Sequence, residues 1–271
     1  DVTLDRARQF LDDPTRVGEK FLGRYLALTT SGTTGTPGVF VVDDQTLAVT
    51  NALAVRMLRA WLGPSDVLRM VAKGGRMAMV MATGGHYASA VAAARLGSRA
   101  GRMLKAFSVH MPVQELVTGL NEFQPALLAP YAGIGAQLAS EQEAGRLHIR
   151  PALIALSAEG LPEYQRTSNA FDTAVGNSYA ATECMFFSYS CTANWLHVNA
   201  DWVIFEPVDV DYRPVPAGQP SHSVLITNLA NHAQPILRYD LGDSIEVRPD
   251  PRACGAPLRA LRVRGRCAAL L

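Results

Sequence analysis

Three short stretches carry the residues with evident chemical potential. The first is 28-LTTSGTTGTPGVFVVDD-44, in which Thr29–Gly38 holds five hydroxyls at Thr29, Thr30, Ser31, Thr33 and Thr34, a sixth at Thr36, and three glycines. Glycines let main-chain N–H groups approach phosphate oxygens closely, and hydroxyls add neutral donors. The composition suits a polyphosphate cradle and equally a surface turn. No lysine closes it, so it is not the GxxxxGK[ST] loop. The second stretch, 176-GNSYAATEC-184, puts Glu183 after an apolar strand. The third, 236-ILRYDLGDSIEV-247, puts Asp243 one residue after Gly242 at a strand end. Carboxylates there suit a magnesium ion or ribose hydroxyls, although a surface turn is the commoner use of such residues.

Residues 24–30 read as a strand entering the glycine loop, and Val39–Val42 as the strand leaving it. Asp43 or Asp44 opens a helix running to Leu62, where Gly63-Pro64 stops it. Asp66–Ala72 and Met77–Ala82 read as buried strands, His86–Leu96 as a helix, Met103–Val109 as a strand, and Met111–Phe123 as a helix with Pro112 in its first turn. Gln124–Pro130, Ala132–Ala144, Ala152–Leu156 and Pro162–Phe171 continue the alternation as strand, helix, strand and helix, and Thr173–Tyr179 leads into a turn. Such alternation implies a mostly parallel sheet covered by helices. Beyond residue 184 the reading is β-rich, with strands at Phe186–Ser190, Leu196–Val198, Trp202–Val210, Val224–Asn228, Ile236–Tyr239 and Ser244–Arg248. The expected division is an α/β part over 1–183 and a β-rich part over 184–271.

The chain has 271 residues, a net charge of +1 and 48% hydrophobic residues, enough for a sizeable core. Near-neutral charge gives no basic face for nucleic acid, and no apolar run approaches the ~20 residues that span a bilayer. The four cysteines, Cys184, Cys191, Cys254 and Cys267, are too sparse for a disulfide scaffold, and a reduced, cytoplasmic setting is expected. Lysine occurs only at 20, 73 and 105, so no chemistry that needs a later lysine is available to these residues. The absence of GxGxxG after a strand argues against a dinucleotide oxidoreductase.

Taken in order, TSGTTGTPG, NSYAATE and RYDLGD resemble the adenylate-forming superfamily of acyl-CoA synthetases and adenylation domains. More narrowly, with 83-TGGHYASA-90, 156-LSAEGLPE-163, 195-WLHVNADWVIFEPVD-209 and 225-LITNLANHAQPILRYDLGD-243, the chain resembles the phenylacetate–CoA ligase branch from about residue 20 onward. The resemblance implies ATP-dependent activation of an aryl or alkyl acid as an acyl-adenylate, with pyrophosphate release, then transfer to coenzyme A or another nucleophile. It implies that Thr30, Ser31, Gly32, Thr33, Thr34 and Gly35 cradle the β- and γ-phosphates, and that Ala158 and Glu159 border the base. Tyr179 would lie against the adenine, Thr182 would contact the α-phosphate, and Glu183 would hold Mg²⁺. Asp243 would accept the ribose hydroxyls, with Arg266 near the ribose. Gly84, Gly85, His86 and Tyr87 match the wall of the acyl pocket, where His86 either touches the substrate carboxylate or caps the following helix. The partners implied are ATP and AMP, a small carboxylic acid and coenzyme A or another acceptor, with a homodimer as a further expectation and neither nucleic acid nor membrane.

The sequence departs from the family's pattern in three places. Pro37 is followed by Gly38 where the family usually has Pro-Lys-Gly. The hinge reads 265-GRCAALL-271, with Ala268 and Ala269 in place of two acids. Nothing here corresponds to the small C-terminal domain that brings a catalytic lysine. The alternative expectation is therefore a fragment or scaffold that binds nucleotide and turns over poorly. Some relatives also carry a structural zinc. Cys191, His197 and Cys254 match three of its ligands, but Arg252 takes the place of the fourth, so zinc is not expected.

Overall fold

The computed structural model describes residues 3–30, 37–157, 164–250 and 258–267, without the side chains of 98–100 and 165. In chain order the elements are α1 (Leu4–Leu11), β1 (Leu26–Thr29), β2 (Val39–Val42), α2 (Asp44–Trp61), α3 (Pro64–Ala72), β3 (Met77–Met81), α4 (Ala88–Ala100) and β4 (Leu104–Ser108). They continue with α5 (Val113–Phe123), β5 (Leu127–Pro130), α6 (Ala132–Glu143), β6 (Leu153–Ser157), α7 (Tyr164–Phe171) and β7 (Ala174–Ser178). The remainder is all strand: β8 (Ser188–Ser190), β9 (Leu196–Val198), β10 (Val203–Val208), β11 (Ser223–Asn228), β12 (Ile236–Asp240), β13 (Asp243–Val247) and β14 (Ala260–Arg266).

The chain forms two compact units, one of residues 1–44 and 61–176, the other of 45–60 and 177–271. The first is built on a five-stranded sheet in the order β4-β3-β5-β6-β7, whose β3–β4, β3–β5 and β5–β6 pairings are parallel. This is the expected mixed α/β architecture. Its strands are short apolar runs because helices cover the sheet. Ala78, Val80, Leu128 and Ile154 of the sheet pack in one core with Leu120 of α5, Leu138 of α6 and Phe171 of α7. A separate β1–β2 hairpin packs Ala27 and Val41 against Ala7 and Phe10 of α1. Gly176 of β7 is required by packing: a Cβ there would lie 2.1 Å from the Trp61 ring.

The second unit holds an antiparallel sheet β10-β11-β12 and a four-stranded sheet β13-β14-β9-β8. Most of α2 belongs to it. Thr46 donates to the Ala230 carbonyl at 3.2 Å, and Arg56 reaches Asn199 at 2.8 Å and both oxygens of Asp201 at 2.9 and 2.7 Å.

One element departs from the sequence reading. Asp66–Ala72, expected as a buried strand, lies in helix α3. Pro64 occupies its first turn, and the Gly63 N–H donates to Asp66 Oδ2 at 2.9 Å, which satisfies an otherwise orphan donor at the helix start. Val67, Leu68 and Val71 are exposed, so the apolar run marks no core strand. Pro112 is the N-cap of α5 rather than a residue of its first turn. α1 and β14 were not anticipated, although Thr3 caps α1 by accepting from the Arg6 N–H.

Candidate nucleotide site

The second unit brings together five of the residues singled out by sequence. Tyr179 follows β7, and its ring meets the edge of Phe187 at 4.6 Å, with Phe205 at 6.5 Å. Its hydroxyl donates to Asp243 Oδ2 at 2.6 Å. Burial, then the charge and hydrogen bond of Asp243, push the phenol pKa well above its ordinary value, so Tyr179 stays a neutral donor. Arg266 holds the other oxygen, with Nε at 3.1 Å from Asp243 Oδ1. Its Nη1 donates to the Leu241 carbonyl at 2.7 Å. β13 and β14 set this pair directly, because Asp243 and Arg266 are partners in the strand register. Burial raises the Asp243 carboxyl, while the Tyr179 hydrogen bond and the Arg266 charge oppose the rise.

The turn before Asp243 is built as tightly. Gly242 has φ +67, a left-handed conformation that favours glycine, and its N–H donates to Asp240 Oδ1 at 2.9 Å. Asp240 also accepts from Ser223 and, at 3.0 Å, from Tyr212. Burial works against the charge on Asp240, but these hydrogen bonds hold its carboxyl below the usual value.

Thr182 and Glu183 form the tip of a four-residue turn. Ala181 and Cys184 close it with N–H···O bonds of 3.3 and 3.1 Å. The Glu183 carbonyl accepts from Asn228 Nδ2 at 3.1 Å. Cys184 is buried beneath the tip, and burial followed by the Glu183 charge pushes its thiol up to about 12, so it packs as a neutral side chain.

The remaining candidates lie in the first unit or outside the described residues. Thr30 closes the β1–β2 hairpin: its N–H donates to the Gly38 carbonyl at 3.1 Å, and its Oγ1 accepts from the Gly38 N–H at 2.8 Å. Ser31, Gly32, Thr33, Thr34, Gly35, Ala158, Glu159 and Cys254 lie outside the described residues. A Cβ on Gly38 would lie 2.7 Å from the Phe40 ring, so the place of the missing lysine is crowded. Gly84, with φ +89, and Gly85 connect β3 to α4. Tyr87 is the N-cap of α4. His86 therefore does not cap the helix. Its ring is buried, 3.0 Å from the Asp13 carbonyl and 5.3 Å from the Phe10 ring, and its own carbonyl accepts from the Thr29 N–H at 3.0 Å.

A polar group that sequence reasoning missed stands at the carboxyl ends of the parallel strands. Thr83 donates to Ser108 Oγ at 3.1 Å, and the Tyr131 hydroxyl accepts from the Ala82 N–H at 3.2 Å and lies 3.4 Å from Ser89 Oγ. The signal available was position alone, since open α/β sheets bind ligands outside the carboxyl ends of their strands.

At the zinc candidates, His197 is buried with Nδ1 3.2 Å from the Leu258 carbonyl, and the Cys191 N–H donates to the Trp195 carbonyl at 2.9 Å. The guanidiniums of Arg262 and Arg248 stand 4.2 and 5.2 Å from the Trp195 ring centroid. Among the described residues, which exclude Cys254, no group of three His, Cys, Asp or Glu side chains that could hold a metal ion occurs.

An open conformation of 2-hydroxyisobutyryl-CoA ligase, in complex with 2-HIB-AMP and CoA, matches with TM-score 0.68 at 22% identity, covering 90% of this chain and 53% of that one. This chain has the fold of adenylate-forming enzymes. The anthranilate CoA ligase AuaEII in complex with anthranoyl-AMP matches with TM-score 0.56 at 14% identity, over 89% of this chain and 47% of that one. The N-terminal subdomain of Klebsiella oxytoca NpsA, bound to 3-hydroxybenzoyl-AMSN, matches with TM-score 0.54 at 13% identity, over 88% of this chain and 61% of that one. The chain thus spans about half the length of the ligase chains it matches. No protein-family model matches it, and neither does any curated protein sequence. No helix among the described residues is long and apolar enough to cross a membrane.

Proposed function

We propose that these residues form the nucleotide- and acid-binding core of an ATP-dependent acid–thiol ligase of the phenylacetate–CoA ligase type. The observation that carries this reading is the Tyr179–Asp243–Arg266 cluster, which joins two sequence motifs far apart in the chain. Tyr179 would offer its ring to the adenine. Asp243 would accept the ribose hydroxyls, for which a carboxylate has about four acceptor positions. Thr182 would meet the α-phosphate, Thr30 to Gly35 would cradle the β- and γ-phosphates, and Ala158 and Glu159 would border the base. We read 1–183 as the part that supplies the phosphate loop and acid wall, and 184–271 as the part that supplies the ribose carboxylate.

In the reaction, an oxygen of the substrate carboxylate attacks the α-phosphorus. The bond to the bridging oxygen breaks, and pyrophosphate leaves with its electrons. A thiolate then attacks the acyl carbon, and AMP leaves. Such transfers depend on positioning and charge neutralisation more than on covalent help from the protein. Magnesium takes one or two carboxylates together with substrate phosphates and would neutralise the phosphate charge; Glu183, at the tip of its turn, fits that demand. Gly84, Gly85 and Tyr87 would border the acid, with Thr83, Ser108 and Tyr131 as polar neighbours. His86 supports that wall from its bond to Asp13. The ligases of similar fold hold acyl-adenylates and, in one case, coenzyme A, which supports this substrate class.

A second reading, a nucleotide-binding core of weak turnover, is favoured by Gly38, which stands where the family usually has a lysine and where an added Cβ would crowd the Phe40 ring. Pyrophosphate release by the full-length protein with a panel of aryl and alkyl acids, with and without coenzyme A, separates the two. Release that depends on an acid supports the ligase. AMP binding without release for any acid supports the second reading.

A further inference from the structure

The proposed ribose carboxylate, Asp243, stands at the end of a short and fully engaged link. Leu241 and Gly242 join β12 to Asp243, the first residue of β13. The Leu241 N–H donates to the Val224 carbonyl at 3.1 Å, and the Leu241 carbonyl accepts from Arg266 Nη1 at 2.7 Å. The Gly242 carbonyl accepts from the Cys267 N–H at 2.9 Å. The Gly242 N–H relies on a carboxylate, donating to Asp240 Oδ1 at 2.9 Å. Each main-chain polar group of the link thus has a partner, and Asp240 supplies the one next to Asp243.

Asp240 is itself clasped by two further donors. Ser223 of β11 donates to Oδ1, and the Tyr212 hydroxyl donates to Oδ2 at 3.0 Å. Tyr212 is exposed and has φ +60, a left-handed conformation that a bulky side chain rarely adopts. Asp209 secures that conformation: its carbonyl accepts from the Tyr212 N–H at 3.1 Å, and its Oδ1 from the N–H groups of Asp211 and Arg213, both at 2.9 Å. Such backbone strain persists only where the surroundings over-determine it, and it clusters at functional positions. Asp240 is exposed as well. Hydrogen bonds on an exposed carboxylate add little to stability, because water can replace either partner. Three donors on Asp240 therefore fix a direction more than they stabilise the fold.

We infer that Asp240 is a positioning residue, which through the Gly242 N–H sets where Asp243 meets the ribose hydroxyls. The inference rests on the nucleotide-site reading above. Its test is calorimetry of AMP and of 2′,3′-dideoxy-AMP, which lacks both ribose hydroxyls, on the same chain. The ratio of the two affinities reads ribose recognition and cancels any effect of the Asp240 charge on the shared phosphate. Wild type should prefer AMP at least about tenfold, and Asp243→Ala should lose that preference. Asp240→Ala should cut the preference about threefold to tenfold, and Tyr212→Phe, which frees one oxygen of Asp240, about twofold to threefold. With Asp243→Ala already present, Asp240→Ala should leave the ratio unchanged, as expected of two residues acting through one contact. An undiminished preference in Asp240→Ala overturns the inference. So does an equal loss of both ligands, which is what a merely structural residue would give. Should Asp240→Ala show no cooperative unfolding in urea, Tyr212→Phe decides alone, and an undiminished preference there overturns the inference. Wild-type protein that binds neither ligand, or both equally, overturns the nucleotide-site reading itself, and this inference with it.

Discussion

The two units bury different chemistry. Among the described residues, the first unit buries two polar side chains, His86 and Thr167, while the second buries fourteen, including Asn177, Ser188, Asn199, Ser221, Asn228, Asp243 and Ser244. The first is an apolar core between sheet and helices. The second adds to its apolar residues a set of buried polar groups, Asp243 and Asn228 among them. Apolar packing tolerates imprecision in direction, whereas a buried polar group must find a partner at one distance and angle. A site that needs a carboxylate and a guanidinium in fixed register is therefore found where strands and polar side chains satisfy one another.

This contrast predicts effects of different kinds and sizes. Leu128→Ala, in the centre of the parallel sheet, should cost about 2–5 kcal/mol, read as a fall in the urea midpoint. A loss well under that range would mean the first unit is not the packed core described. Asp243→Ala should act mainly on ligand, weakening AMP at least about tenfold by calorimetry, or ~1.4 kcal/mol. Unchanged AMP affinity would separate the polar network from nucleotide binding. Ser221→Ala leaves the Ile245 N–H, now 3.0 Å from Ser221 Oγ, buried without that acceptor, and should cost about 1–3 kcal/mol. A neutral result would show that the network near Asp243 is not under such demand.

The smallest effect concerns Asp201, which the Arg56 hydrogen bond holds below its ordinary pKa, against the cost of burial. A carboxyl whose folded pKa is depressed adds stability above its unfolded value, and that stability is lost as pH falls through the folded value. Asp201→Asn should thus cost a few tenths of a kcal/mol at pH 7, limited by solvent screening, since the pair is roughly 40% exposed. The gap from wild type should close as pH falls below the usual aspartate range. A gap that stays constant with pH would remove the ion pair as an anchor of α2.

The alternation of strands and helices was legible because the parallel strands are buried apolar runs, and their bounds fell within a few residues of those expected. α3 was not, because Val67, Leu68 and Val71 carry the same apolar signal as a core strand while facing outward. Only the Gly63–Pro64–Asp66 start distinguishes them, and it is a signal in capping chemistry rather than in hydropathy. Of the candidate site, Tyr179, Glu183 and Asp243 were found by motif. Asn228 was not, since it reads as an ordinary strand residue until β11 places its amide against the Glu183 carbonyl. The polar cluster of Thr83, Ser108 and Tyr131 escaped for the same reason, as three separate strand ends share it.

By itself, then, the sequence determined the local grammar: which runs are apolar, where glycine and proline interrupt them, and which three motifs could meet a nucleotide. It also determined that no lysine follows Lys105. Only the tertiary structure decided that the Tyr179 hydroxyl and Arg266 divide the two oxygens of Asp243, that His86 is committed to Asp13, and that the Glu183 carbonyl is held by Asn228 of β11. The physical reason is range. Hydropathy and turn chemistry act between residues a few positions apart. The hydrogen bonds that orient a site join residues that only strand register brings within 3 Å.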